Sequence, residues 1–384
     1  MDSLVLTSIL FLAYIWIAYP VILFVVVKVA NKNKTSQQAI YSNMELPVLT
    51  VLIAAHNEGD SIEARIKNIL ENGYPADKLE VLVVSDGSSD KTVAVVESLG
   101  LKFPNVKIIN IASQQGRANA HNVGVKKSKG EVLVFTDAET VFSSGFLEKI
   151  ARVLLGSKTG FASGMLCYSN TGDSAVTQSV GLYWRFEMML RSLESRLDIY
   201  LFGTGACCAV LRKLYCDIPS SGDVDFTTPL DVVLQGYKCV HIEDAVAYDV
   251  MPDTARREFR ARVRMTAKNL HGSILRWGFR GIIFHPVYTL VLFSHKIGRW
   301  LTPFAMIGLF TGSIVTVGSG WIISMLLFVQ TVFYILAVCG YMGWRIPFAD
   351  QAYSFVLANV AFALGVMKAL VGNVPSSYRP VRKS

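Results

Sequence analysis

From Val5 to Val27 the chain carries no charged side chain, and this run sets the first limit on what it can fold into. A helix of that length crosses the ~30 Å hydrocarbon core of a bilayer. A cleaved signal peptide is the competing explanation. It fails because no basic stretch precedes the run and because the run is too long. Only Asp2 stands ahead of it, whereas Lys28, Lys32 and Lys34 follow at once. Positive charge stays in the cytoplasm, which places the N-terminus outside and the following domain inside. Three later runs also have spanning length: Leu301 to Ser319, Trp321 to Tyr341 and Tyr353 to Val371. A shorter run, Gly281 to Phe293, is interrupted by His285 and Pro286 and is expected to lie in the membrane interface. Four spans put both ends outside, whereas the basic tail Arg379, Arg382, Lys383 points to a cytoplasmic C-terminus. The number of spans stays open.

Composition agrees with a chain partly in lipid: 52% of residues are hydrophobic and 17% charged. The net charge of +8 needs no nucleic acid to explain it. Basic residues beside spans meet anionic lipid, and a nucleotide diphosphate attracts them equally well. The six cysteines, Cys167, Cys207, Cys208, Cys216, Cys239 and Cys339, have no CxxC spacing. They read as small core residues of a reducing compartment.

From Pro47 onward the pattern alternates strand and helix. Val48 to Ala55 is a β-branched apolar run, and Ser61 to Leu70 then spaces Ile62, Ile66, Ile69 and Leu70 for a helix. Val81 to Val84, Val106 to Ile111 and Val132 to Phe135 continue the rhythm, which predicts an α/β fold with a parallel sheet covered on both faces. Ligands of such sheets bind beyond the carboxyl ends of the strands. There the sequence places His56, Asn57 and Glu58, then Asp86, then Asp137 and Glu139. Asp86 read alone is equally a cap for the next helix, and Asp137-Ala138-Glu139 a turn. Convergence of acids from three strands on one edge favours a site.

These residues give the chain a family likeness. Leu46 to Met265 resembles the membrane-bound family-2 glycosyltransferases, the group that contains cellulose, hyaluronan and chitin synthases. The resemblance implies a GT-A (nucleotide-diphospho-sugar transferase) domain, a nucleotide-sugar donor, Mg²⁺ or Mn²⁺, and inversion at the anomeric carbon. Ala54-Ala55-His56-Asn57-Glu58 is similar to the loop that holds the nucleotide base and ribose, and Asp86 to the aspartate on the nucleoside. Gly116 to Asn122 resembles a donor-side segment in which Arg117 replaces lysine. Asp137-Ala138-Glu139 stands in the place of the DxD metal motif, with Glu139 one methylene longer than the usual second acid.

Gly203-Thr204-Gly205 looks like the family's turn on the acceptor side. Counting back eleven residues from Gly236-Tyr237 makes Asp225 the general base, with Asp223 as the alternative and Val224 in place of a first acid. Where processive synthases carry QxxRW, this chain reads Ala261 to Met265, which keeps the arginine as Arg264 and loses Gln and Trp. The resemblance gives Arg264 to the diphosphate, and the departure argues against a cellulose-type polymerase. The same segment also reads as an interfacial helix. Phe259, Val263, Leu270 and Ile274 fall on one face, and Arg260, Arg264 and Lys268 on another.

The expected organisation is an anchor (residues 1–28), a cytoplasmic GT-A domain (46–270), interfacial helices (271–300), transmembrane helices (301–372) and a basic tail (373–384). The implied function is transfer of a sugar, with uridine diphosphate as carrier by resemblance, to a lipid-linked or polysaccharide acceptor at a bacterial plasma membrane. A processive polysaccharide synthase is the alternative within the class. A non-catalytic membrane subunit with a degenerate domain is the alternative outside it.

Overall fold

The computed structural model describes residues 3–30, 44–156, 158–170, 175–251, 254–344 and 346–374. Asp2, Lys32, Lys34 and the basic tail Arg379, Arg382, Lys383 lie outside the described residues. Eight strands form one sheet in the order β3-β2-β1-β4-β7-β6-β8-β5. They are β1 (Leu49–Ala55), β2 (Leu79–Asp86), β3 (Val106–Ile111), β4 (Val132–Thr136), β5 (Val141–Phe142), β6 (Thr159–Tyr168), β7 (Cys208–Leu211) and β8 (Lys238–Asp249). β3, β2, β1 and β4 are parallel, as the alternation predicts. The other half is mixed, because β7 runs antiparallel to both β4 and β6. Helices still separate these later strands, but β7 returns antiparallel to β6 after the long helix Ala175–Arg196. β6 and β8 are again parallel to each other, so β8 ends on the same edge as β1, β2 and β4.

One face of the sheet is covered by α2 (Ile62–Leu70), α3 (Thr92–Lys102) and α5 (Phe146–Leu154). Ile62, Ile66, Ile69, Val96, Phe146 and Ile150 are buried there against Val51, Val81, Val83 and Val134. The other face carries α4 (Arg117–Lys127) and α7 (Val224–Leu234), and its core runs on into the membrane-proximal helices. Leu52, Leu133, Phe135, Phe226 and Leu230 share that cluster with Trp300, Phe362 and Val366. One apolar core therefore runs from the sheet into the C-terminal helices on this side.

The apolar termini form helices. α1 runs over Ser3–Val29, through a π turn at Tyr14–Ala18. After β8 come α8 (Ala255–Arg276), the short α9 (Gly278–Phe284) and α10 (Pro286–Val291), then α11 (Gly298–Val315), α12 (Trp321–Tyr341) and α13 (Ala349–Leu370). Between β6 and β7 lies the long α6 (Ala175–Arg196). Among the described residues three helices, α1, α12 and α13, are long and apolar enough to cross a membrane. The run at Leu301 to Ser319 is not one of these. Its helix begins beside the buried polar residues His295 and Arg299 and packs along α1, with Gly298, Gly308 and Gly312 facing Ile15, Ser8 and Val5. Exposed Leu10, Ile17, Phe24, Phe328 and Ile335 leave α1 and α12 with apolar faces that water does not suit. α9 and α10 meet at His285–Pro286 and expose Phe279, Ile282 and Phe284.

Candidate active site

The carboxyl edge of the sheet encloses a cavity of about 300 Å³. Seven residues singled out in the sequence line it together: Ala54, His56, Glu58, Asp86, Arg117, Asp137 and Glu139. Ala55, Gln114, Ala138, Asp249 and Val250 complete the wall. Asp225 and Arg264 are not part of it.

Backbone hydrogen bonds explain why the strand-end loops hold this shape. The Asp86 carboxylate accepts from the N–H groups of Gln115 and Gly116, both at 2.8 Å, so it fixes the entrance to α4 and does not cap α3. Asp90 takes that capping role by accepting from the Thr92 N–H at 3.0 Å, and it also accepts from the Gly59 N–H at 2.9 Å. The Asn57 side-chain oxygen accepts from the Ser89 N–H at 2.8 Å, lashing the β1 loop to the β2 loop. Gly116 sits at φ 99°, ψ 158°, a backbone conformation that disfavours any side chain. Gly116→Ala is expected to cost about 1–3 kcal/mol and to weaken nucleotide binding, read by thermal unfolding and by calorimetry with a nucleoside diphosphate.

The acids in this cavity crowd one another. Burial is the main cause that raises the Glu58 carboxyl above its ordinary value, with Glu139 and Asp137 adding repulsion. Asp249 is pushed up to about 6, first by burial and then by Asp137. Its carboxylate accepts from the Thr140 hydroxyl at 3.2 Å. Behind them lies Arg65, 2% exposed, which donates to the Thr136 hydroxyl at 2.7 Å. Burial lowers its pKa to about 9, while Asp137 and Asp249 oppose that shift. Asp137 itself is engaged by the Arg117 guanidinium. Among the described residues no set of three acids, histidines or cysteines is gathered as a ready-made metal site.

Asp225 lies on the far side of Arg117, in the first turn of α7. The two meet at Gly205, where a Cβ would stand 3.2 Å from Arg117 Nη2 and 3.6 Å from Asp225 Cγ. A side chain at position 205 would crowd the Arg117 guanidinium. Burial, followed by repulsion from Asp223, raises the Asp225 carboxyl above the ordinary aspartate range. Asp223 differs: its carboxylate is paired with Lys268 Nζ at 2.8 Å. Lys268 therefore does not face headgroups, as its helical spacing suggested, but is buried at 6% exposure. Ile274, expected on the apolar face, is 55% exposed. Arg264 lies on α8 one turn before Lys268, away from the cavity wall.

Two groups of residues escaped the sequence reading. Asp249 has no motif, and its only signal is its place at the carboxyl end of a strand. The second group is a buried ionic cluster on α6 and on the π turn Leu292–Ile297 that leads into α11. Arg191 donates to the Gly203 carbonyl at 2.9 Å and to the Thr204 hydroxyl at 2.7 Å, gripping the turn whose Gly203 N–H donates to the Asp225 carbonyl at 2.7 Å. Glu187 pairs with Arg191 at 2.9 Å and with Lys296 and Arg299 at 2.5 Å each. His295 Nδ1 lies 2.6 Å from Glu194, which also accepts from the Tyr19 hydroxyl of α1 at 2.7 Å.

Residues 50–218 match the family described as "Glycosyl transferase family 2". That stretch of the chain is a glycosyl transferase family 2 domain. The chain is 24% identical over 245 residues to an N-acetylglucosaminyltransferase of Rhizobium meliloti (strain 1021), covering 60% of this chain and 57% of that protein. It is 30% identical over 132 residues to the glycosyltransferase AglE of Haloferax volcanii, covering 34% of this chain and 43% of that one. The chain thus spans a little over half the length of the N-acetylglucosaminyltransferases it matches. Among solved structures, the mannosyltransferase PcManGT from Pyrobaculum calidifontis, in complex with GDP-Man and Mn²⁺, has a TM-score of 0.66 at 20% identity. That likeness covers 96% of this chain and 99% of the other. The fold of the chain is accordingly GT-A, with apolar helices of spanning length attached.

Proposed function

We propose that the transferase moves a sugar from a nucleotide-sugar to an acceptor held at the membrane, by single displacement with inversion. The observation that carries this reading is that Arg117, part of the wall of the acid-lined cavity, and Asp225 both approach Gly205. The cavity has the parts a donor needs. His56, Asp86 and the loop held by Gln115–Gly116 suit the nucleoside. Asp137 and Glu139, with the unforeseen Asp249 beside them, offer hard oxygen ligands that fit Mg²⁺ or Mn²⁺. A bound cation would supply neutralisation of charge on the departing diphosphate. Arg117, released from Asp137, is placed to reach the same phosphates. The mannosyltransferase of similar fold holds GDP-Man and Mn²⁺, which supports the donor class and the ion. The carrier here is proposed as uridine diphosphate from the family resemblance.

In the reaction, Asp225 takes the proton from an acceptor hydroxyl as its oxygen attacks the anomeric carbon. The bond from that carbon to the diphosphate breaks on the opposite side. Asp223 is less suited to the role because Lys268 already occupies it. Arg264 is proposed to bind the donor's diphosphate on the family resemblance alone, since it does not line the cavity. Met265, in place of the processive family's tryptophan, is exposed on α8, which favours limited addition over polymerisation. The catalytic domain is placed in the cytoplasm of a bacterial cell, with α9 and α10 in the interface. The proposed division is anchor 1–28, catalytic domain 46–270, interfacial helices 271–300, membrane helices 301–372 and tail 373–384.

Two outcomes test this site. Asp137→Ala is expected to abolish metal-dependent turnover while leaving the fold intact, read as released nucleoside diphosphate beside a thermal unfolding curve. The second concerns pH. A base acts unprotonated, and the Asp225 value is raised, so kcat/KM falls on the acid side at a pH above the ordinary aspartate value of about 3.9. Asp223→Asn removes the neighbouring negative charge and should move that limb to lower pH. An unmoved limb would assign it to another group.

A further inference from the structure

The described residues enclose a second pocket, of about 260 Å³, where the catalytic domain meets the membrane helices. Its walls include Trp16 of α1, Tyr183 and Phe186 of α6, Phe259 of α8, and Phe355 and Ala358 of α13. α1 and α13, which contribute to its wall, are both apolar enough to cross a membrane. Its charged groups are Glu258 and Arg262, ion-paired one turn apart on α8. The Arg262 guanidinium also lies 4.7 Å from the Tyr183 ring centroid.

Tyr168 links this groove to the donor cavity, since it feels the charges of both Asp249 and Glu258. Asp249 and Val250 line that cavity, and α8 starts only a few residues later, at Ala255. Between the two stands Tyr168, packed edge-on against Trp184 with ring centroids 5.2 Å apart. From Arg256 to Arg280 the chain carries eight Lys or Arg against the single acid Glu258.

We propose that this groove holds the hydrocarbon chain of a lipid acceptor, with an anionic head at the basic residues of α8 and a reacting hydroxyl near Asp225. The inference rests on the transferase reading and deepens it by naming the acceptor class. A glycan chain suits the groove poorly. Its hydroxyls need partners, and the polar lining beyond the ion pair and Tyr183 is confined to Gln351 and Ser354. A hydrocarbon chain gains from the same apolar walls. In transfer, the acceptor oxygen bonds to the anomeric carbon as the carbon–diphosphate bond breaks. The proton passes to Asp225, and the electron pair leaves with the nucleoside diphosphate.

The test uses the full chain in phosphatidylcholine nanodiscs doped with a long-chain alkyl phosphate that carries a diazirine on its chain. Irradiation should label peptides containing Phe259 or Phe355. The labelling should saturate and be competed by unlabelled alkyl phosphate. Ala358→Phe, which fills the groove, should reduce it by at least about tenfold, since two lost buried methylenes already account for that factor. Mn²⁺-dependent binding of nucleoside diphosphate should not change in this variant. If Ala358→Phe does not fold, Ser354→Phe on the same wall carries the comparison. Uncompeted labelling spread over the exposed face of α12, or competition by phosphatidylcholine alone, marks bulk bilayer lipid and overturns the proposal. Failure of the transferase reading shows separately, as wild-type protein that releases no nucleoside diphosphate from any nucleotide-sugar whatever the labelling pattern.

Discussion

Asp225→Asn lowers turnover by about 10²–10⁴-fold and leaves nucleoside diphosphate binding unchanged. Asparagine keeps the size and the backbone contacts of α7 but cannot take the acceptor proton. The Gly203 N–H still donates to the carbonyl of residue 225, so the acceptor turn keeps its anchor. Nearby Asp223 cannot substitute while Lys268 holds it at 2.8 Å. The split between intact binding and lost turnover separates a base from a residue that merely shapes the pocket. Single-turnover assays beside calorimetry measure it. A variant with full turnover removes Asp225 from the mechanism.

The largest stability effect is expected at Glu187. This carboxylate is 1% exposed and faces Arg191, Lys296 and Arg299, with His295 Nε2 at 3.1 Å. Those attractions outweigh burial and hold its carboxyl well below the usual range, although burial is the largest single influence on it. Glu187→Leu strands three cations in a site that water does not reach. Loss of one partner of a buried ion pair costs about 3–5 kcal/mol. The midpoint of thermal unfolding should fall by roughly 5–10 °C. The cluster also positions the acceptor turn through Arg191, so residual activity should fall further than stability alone requires. Glu63→Gln is the control: its pair with Lys67 is exposed on α2 and should leave the midpoint unmoved. Equal, small shifts in both variants would mean that water enters the cluster.

The acid-lined cavity was legible in the sequence because strand ends are local events. An apolar run followed by a polar residue marks a carboxyl edge, and His56, Glu58, Asp86, Asp137 and Glu139 all follow from that rule. Their detailed roles were less legible. Nothing in the sequence says that Asp86 serves the N–H groups of Gln115 and Gly116, because that contact needs two loops brought together in space. Asp249 was hidden for a similar reason. It reaches the cavity only because β8 runs parallel to β6 within a mixed half-sheet that the alternation does not predict. The cluster around Glu187 draws on residues more than 100 positions apart, and each charge read singly passes for a solvated one. Lys268 shows the converse, since helical periodicity gave its face but not the partner, Asp223, that draws it inside.

The most direct measurement of the central claim incubates purified protein in nanodiscs with Mn²⁺ or Mg²⁺, a series of nucleotide-sugars, and lipid or glycan acceptors. Released nucleoside diphosphate is the readout, with Asp137→Ala and Asp225→Asn alongside. The proposed chemistry predicts release from one donor, abolished by chelation and by Asp137→Ala and cut steeply by Asp225→Asn. Release that persists after chelation, or that neither substitution changes, would contradict it.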